Sequence, residues 1–311
     1  MKKGNVKTIL LSLLVMALWG SLFPFIKIGY NAFHIRSNSI PDILMFASVR
    51  FIISGLIVCA LCFVKKEKIA TPKLKNIRNI FIMGLFSIVL HYGFTYIGLS
   101  TTSSSKTALI KQLGALLYVC FSFLFFKNEK FSILKIVGAI VGFCGIVAIN
   151  YSPDGTAFST GDILVILASI CIVVANIISK KSVEHNSPFW ITGISQLSGG
   201  VILFIAAICL GADMLTFTWK STAVFAYICT ASILSYTLWY YVLKSNSLSK
   251  MFIIKFAEPL FACIFGAILL GENIFKFQYL AAFVLISLGV ILGNKSEKLE
   301  EKDHEKSVTD R

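Results

Sequence analysis

Charge is what this sequence has least of. Only 14% of its 311 residues are charged, and acids are the scarcer kind, 15 Asp and Glu against 29 Lys and Arg. A soluble domain carries about a quarter charged residues, and a water-facing surface of this size needs more polar cover than that. Catalytic signatures are missing as well: there is no GxSxG, no HExxH, no P-loop, and no cluster of acids within the apolar runs. No gap between those runs is long enough to hold a nucleotide-binding domain, which excludes an ATP-driven pump. No metal, cofactor or catalytic residue is implied.

What is present is apolar. Hydrophobic residues make up 57% of the chain, and the mean hydropathy is +0.82, so lipid is the expected solvent. The net charge of +14 would suit nucleic acid if it formed a patch. Instead the bases lie in short gaps and in the tails, where they report membrane orientation; no nucleic-acid partner is expected. All eight cysteines sit inside apolar runs, which argues against a disulfide framework. Cys59 and Cys62, despite their CxxC spacing, read as small apolar side chains of a helix. The first apolar stretch runs on to about Tyr30, too long for a cleavable leader.

Ten runs are long enough to span a bilayer as helices, at about 8–30, 43–64, 79–98, 104–126, 131–150, 161–179, 188–209, 221–243, 249–270 and 276–293. With the N-terminus placed inside, the inner segments hold 21 Lys and Arg, while the outer ones hold only Arg36, Lys220 and Lys276. That asymmetry predicts a multi-pass protein of the cytoplasmic membrane with both termini cytoplasmic. The polar tail, 295–311, reads as a solvated extension.

An internal repeat appears at a shift of 144 residues. His91-Tyr92-Gly93-Phe94-Thr95-Tyr96 falls on Ser235-Tyr236-Thr237-Leu238-Trp239-Tyr240, Ser105-Lys106 on Ser249-Lys250, and Ile110-Lys111 on Ile254-Lys255. Phe131 falls on a second Phe. Five spans per copy is an odd number, so the copies, 8–150 and 161–293, enter the membrane in opposite senses. Inverted repeats place a central site at their interface and support alternating access.

Charges within the spans nominate that site. Each Arg or Lys at a helix centre costs about 2.5–3.5 kcal/mol unless compensated, so Arg50, Lys111 and Lys255 need partners or water. Glu258 follows Lys255 by three residues on one helical face and is its expected ion-pair partner, structural or substrate-contacting. The span of Lys111 has no acid, which points Lys111 toward a hydrated cavity. Arg50 is either its neighbour or bonded to backbone. Lys27 and Lys106 lie near span ends and read as vestibule or snorkelling residues. The positive balance favours cargo with a carboxylate or phosphate. His91, Tyr92, Tyr96, Tyr236, Trp239 and Tyr240 form either ordinary packing or an aromatic cavity wall. His91 alone is weak support for proton coupling. Gly138-x-x-x-Gly142 and Gly289-x-x-x-Gly293 permit close packing, within a monomer or in a homodimer.

These features converge on a known pattern. Trp19-Gly20-Ser21-Leu22-Phe23-Pro24-Phe25-Ile26-Lys27, Arg50-Phe51, Glu258-Pro259 and Leu270-Gly271-Glu272 resemble, in this order, the signatures of EamA-type carriers in the drug/metabolite transporter superfamily. Phe126-Lys127-Asn128-Glu129 is the first-half counterpart of the last. The resemblance implies an all-α integral membrane fold of ten helices in two inverted five-helix repeats, with Trp19 among the cavity residues. It also implies secondary transport, usually efflux of amino acids or related metabolites. Two positions depart from the pattern: Ala115 stands where a Pro is common, which implies a different kink in the fourth helix, and Lys111 is not a usual family residue. The leading expectation is export of a small carboxylate-bearing metabolite such as an amino acid. An exchanger or importer of an anionic or nucleoside-like metabolite is the alternative within transport, and a membrane-embedded enzyme or a receptor is the alternative outside it.

Overall fold

The computed structural model describes residues 3–66, 74–121, 124, 133–152, 155–156, 158–183, 186–245, 251, 254–255, 257–289 and 291–292. Phe126 to Phe131, Ser249, Lys250, Gly293 and the tail 295–311 lie outside these. Helices account for nearly all of the described chain, because a backbone in hydrocarbon has no water to bond and must satisfy itself locally. In order they are α1 (Lys3–Ala32), α2 (Ile40–Val64), α3 (Leu74–Gly84), a π-helical stretch (Leu85–Leu90), α4 (His91–Thr101), α5 (Ser104–Ile110) and α6 (Leu113–Phe121). There follow α7 (Ile133–Asn150), α8 (Thr160–Val183), α9 (Pro188–Cys209), α10 (Trp219–Ser245), α11 (Ala257–Leu270) and α12 (Phe277–Gly289). A two-residue antiparallel ribbon, Tyr151–Ser152 with Gly155–Thr156, joins the halves.

Six of these stretches are each long and apolar enough to cross a bilayer in one piece: Thr8–Ala32, Ile40–Val64, Arg78–Thr101, Thr160–Lys180, Pro188–Cys209 and Trp219–Lys244. The α5–α6 pair, α7, α11 and α12 supply the other four spans, giving ten. Large apolar side chains face outward, among them Phe63, Ile140, Ile205 and Ile268. A soluble monomer rarely exposes so much contiguous apolar surface.

The packing carries the signature of two opposed halves. In the first direction, α1 lies against α10 and α11; in the reciprocal one, α8 lies against α4, α5 and α6. The first span thus touches the eighth and ninth, as the sixth touches the third and fourth. The pair α2 and α9, equivalent under the same two-fold, pack on each other most extensively. One continuous buried apolar cluster runs through both halves.

Two glycines set how close the halves come. A Cβ on Gly20 would lie 2.7 Å from Phe261 Cβ and 2.8 Å from the Glu258 carbonyl oxygen, so its absence lets α1 press onto the backbone of α11. A Cβ on Gly289 would meet the Gly138 carbonyl oxygen at 2.5 Å and Gly142 at 2.9 Å. The small-residue faces of the fifth and tenth spans therefore close on each other inside one chain.

Two spans depart from regular helix. The third widens into the π-helical stretch just before His91. The fourth is interrupted: α5 ends at Ile110, Lys111 caps it, and Gln112 N–H and Gly114 N–H bond three residues back to Leu109 O and Lys111 O. Leu116 N–H to Gln112 O then resumes the α pattern. The different kink expected from Ala115 is thus a break at Lys111 and Gln112, made without proline. Both residues are buried, and irregular backbone at membrane depth is tolerated where protein surrounds it.

Candidate functional site

The break and the π-helical stretch converge on one cavity near the middle of the bundle. Its wall takes Trp19 from α1, Ser87, His91 and Tyr92 from the third span, and Lys111 from the break. From the second half come Ile172, Ala175 and Asn176 of α8, Tyr236, Trp239 and Tyr240 of α10, and Lys255 and Glu258. The cavity volume is about 20 Å³, room for roughly one water. The site is shut around its own side chains.

Its central contact joins the halves. Lys111 Nζ lies 3.7 Å from Glu258 Oε1, an ion-pair distance longer than a hydrogen bond. The local reading of the sequence assigned Glu258 to Lys255 and left Lys111 without an acid. In the structure the ion pair crosses from the first half to the second, and Lys255 shares the field of the same carboxylate. A helix-spacing rule sees only partners on its own helix; the fold supplied another. Aromatic faces hold both ammonium groups. Lys111 Nζ is 4.9 Å from the Phe23 ring centre and 5.8 Å from that of Tyr92, while Lys255 Nζ is 5.6 Å from Trp19 and 5.9 Å from Trp239. Each such contact is worth about 0.5–2 kcal/mol.

The wall also carries buried polar atoms without a protein hydrogen-bond partner: Trp19 Nε1, Ser87 Oγ, Asn176 Nδ2 and Glu258 Oε2. Unpaired buried groups are rare in folded proteins, and each costs about 1–3 kcal/mol. His91 is different. Its Nδ1 lies 2.9 Å from the Ala168 carbonyl oxygen, and a carbonyl accepts only, so Nδ1 carries the hydrogen and Nε2 is left as an acceptor in the neutral ring.

Arg50 and Tyr96 are not in the cavity wall. They stand one layer behind it, fully buried. Arg50 donates from Nε to Ser232 Oγ at 2.7 Å and from NH1 to the Tyr96 hydroxyl. Its guanidinium lies over Phe51, Tyr92 and Tyr96, 4.7–5.6 Å from the ring centres. Tyr92, which does reach the cavity, is therefore the wall between Arg50 and the interior. Ser87, Asn176, Ile172 and Ala175 were not anticipated. Asn176 had a signal, an amide in an otherwise apolar span; Ser87 had none, since only the widened turn aims it inward.

A second cavity of about 560 Å³ opens where α1 ends and α5 begins, among Lys27, Tyr30, Asn31, Ser100, Thr102 and Glu272. Lys27 is a vestibule residue, as expected. Lys106 instead pairs with Asp162 at 2.9 Å. At the vestibule floor, Glu272 of the second half accepts from Ser104 N–H at 2.8 Å and from Ser105 N–H and Oγ at 3.0 and 2.6 Å. Burial opposes ionisation of Glu272, but these three bonds and nearby Lys27 outweigh it and hold the carboxyl below its usual range.

Comparison with known proteins agrees with this architecture. The profile of the EamA-like transporter family matches the chain twice, at residues 6–151 and 159–294. An uncharacterized transporter of Archaeoglobus fulgidus is 25% identical over 93% of this chain and 97% of its own length. The uncharacterized inner membrane transporter YedA of Escherichia coli K12 is 26% identical over 88% and 89%. The uncharacterized transporter YvbV of Bacillus subtilis is 24% identical over 96% and 94%. A solved crystal structure superposes with a TM-score of 0.67 over 95% of this chain and 99% of that one, at 16% identity, which speaks to the fold alone.

A ten-helix membrane bundle of two inverted halves around a charged central cavity is the form of a transporter. This chain belongs to the EamA-like transporter family.

Proposed function

We propose that the chain is a secondary carrier that exports a small carboxylate-bearing metabolite across the cytoplasmic membrane by alternating access, with both termini in the cytoplasm. The observation behind this reading is the central cavity itself. Its wall comes from both halves, the Lys111–Glu258 ion pair bridges them, and Trp19 Nε1 and Asn176 Nδ2 are buried donors with nothing to bond. Cargo able to take Lys111 and Lys255 relieves the unpaired groups and spreads the halves. An amino acid is one compound of this kind. No chemistry is assigned to the protein beyond this movement, and one chain suffices for it, since the glycine faces of the fifth and tenth spans are spent on each other.

The test is uptake into proteoliposomes of a radiolabelled metabolite panel, with and without a pH gradient. If Lys111→Ala and Lys255→Ala both transport with unchanged rate and affinity, the central-lysine site is wrong. The open vestibule beside Lys27 and Glu272 favours a second reading, exchange or import. Stimulation of uptake by cargo preloaded inside the vesicles identifies exchange.

A further inference from the structure

A third cavity lies apart from the transport site, between the fourth, ninth and tenth spans. It holds about 470 Å³ among Leu109 of α5, Pro259 and Leu260 of α11, and Leu280 and Phe283 of α12. Apart from Cys263, Lys276 and Tyr279, its lining is hydrocarbon. The Tyr279 hydroxyl is already bonded to Ser103 Oγ at 3.0 Å. Leu260, Phe277 and Leu280 are exposed, and on a membrane bundle an exposed apolar face of this kind meets lipid.

The groove has a depth. Its mouth is the turn between the end of α11 at Leu270 and the start of α12 at Phe277, where the spans reach headgroup level. Its floor is Pro259, eleven residues before Leu270 on the same helix and so about 16 Å further in. Half of a hydrocarbon core of about 30 Å is nearly the same distance. The groove therefore runs from headgroup level to mid-membrane, the course of one acyl chain.

It also has a charge. Lys276 is exposed at the mouth, and no acid lines the groove with it. Glu272, four residues earlier, is engaged by Ser104, Ser105 and the field of Lys27. Lys276 has no ion pair among the described residues.

We propose that this groove is the site of one anionic phospholipid, with an acyl chain laid along α11 and its phosphate on Lys276. Leu109 brings the first half to the wall, and the rest of the lining comes from the second. Pro259 follows Glu258 in the chain, and Leu109 precedes Lys111 by two residues, so the inner end of the acyl chain packs where the central ion pair is carried. The lipid braces the two halves in their shut form. This site stands whether or not the cargo is the one proposed above.

The full chain in detergent is titrated with phosphatidylglycerol, phosphatidylcholine and soluble glycerol phosphate. Bound molecules are counted by native mass spectrometry, and the melting temperature is read alongside. One phosphatidylglycerol is expected to bind about fivefold more tightly than phosphatidylcholine, the effect of one lysine near a membrane surface, and to raise the melting temperature. Glycerol phosphate is expected to do neither. Lys276→Gln should bring the two lipids to equal affinity. Leu280→Trp, which fills the groove, should remove the tight binding of both, and Leu260→Trp serves if that variant does not fold. Equal affinity of the two lipids for the wild type, or an unchanged preference in Lys276→Gln, overturns the proposal. Tight lipid binding that survives the filled groove overturns it too, as does glycerol phosphate binding as tightly as phosphatidylglycerol, which would mark a free-phosphate site without a chain.

Discussion

Lys111, at the break in the fourth span, and Glu258, in the first turn of α11, meet at 3.7 Å from opposite halves of the chain. Each is 9% exposed or less. Their contact is a tie between the two parts that a carrier must move past one another. It is also loose, longer than a hydrogen bond, so exchanging it for a cargo contact sacrifices little.

Removing one member of a buried ion pair leaves the other uncompensated and costs about 3–5 kcal/mol. Glu258→Gln is therefore expected to lower the melting temperature in detergent. A carboxylate-bearing compound that the proteoliposome panel shows to be carried should recover more of the loss than it stabilises the wild type, because the variant has lost the partner of Lys111. Equal stabilisation of both proteins would show that the anion does not bind at Lys111.

At Gly20 the space for a Cβ is already taken by the α11 backbone. Gly20→Ala has to push α1 away from Glu258 and Phe261, an overpacking cost of about 1–3 kcal/mol. Both stability and transport should fall. Transport unchanged at normal stability would mean that α1 and α11 need not be so close.

Arg50 is held by its fork, with Nε on Ser232 and NH1 on Tyr96. Arg50→Lys keeps the charge and loses that geometry. The expected result is a stability loss of about 1–3 kcal/mol with the order of cargo preference retained. Tyr96→Phe removes one of the same bonds and should give a smaller loss in the same melting assay.

Glu272 ties the second half to the start of α5, and its carboxyl titrates below the usual value of 4.5. A depressed carboxylate stabilises the fold at pH values above the unfolded pKa, and the contribution disappears as pH falls through the lower folded value. Wild-type melting temperature should therefore hold from pH 8 to about 5 and drop below that. Glu272→Gln should melt lower at neutral pH and show a shallower acid drop.

Orientation is checked by single cysteines in a background cleared of the native ones. Asn38→Cys, in the exposed turn after α1, is expected to react with an impermeant maleimide in intact cells; Lys66→Cys, at the exposed end of α2, should react only after permeabilisation. The reverse pattern would turn the protein over and exchange the proposed direction of transport.

The bundle was readable from the sequence because lipid imposes a simple rule, apolar runs long enough to span it as helices. The 144-residue repeat then brought Lys111 and Lys255, and Tyr96 and Tyr240, into correspondence. Partner choice was less readable. Glu258 has Lys255 three residues away in sequence, yet its ion-pair contact is with Lys111, and only the crossing of α11 with the fourth span determines this. Backbone irregularities were hidden for a related reason. The π-helical stretch at Leu85–Leu90 contains neither Pro nor Gly, and the break at Lys111 has no helix-breaking residue at the point of interruption. Arg50 and Tyr96, expected among the substrate-binding residues, stand behind the cavity wall, because a sequence does not say which of two buried layers faces the void.

The smallness of the central cavity has a consequence for the cell. Space for about one water does not hold a continuous file of them, so the described residues leave protons and small ions no wetted route at this level of the bundle. On the proposed carrier mechanism, passage then waits on a cargo whose own bulk parts the halves.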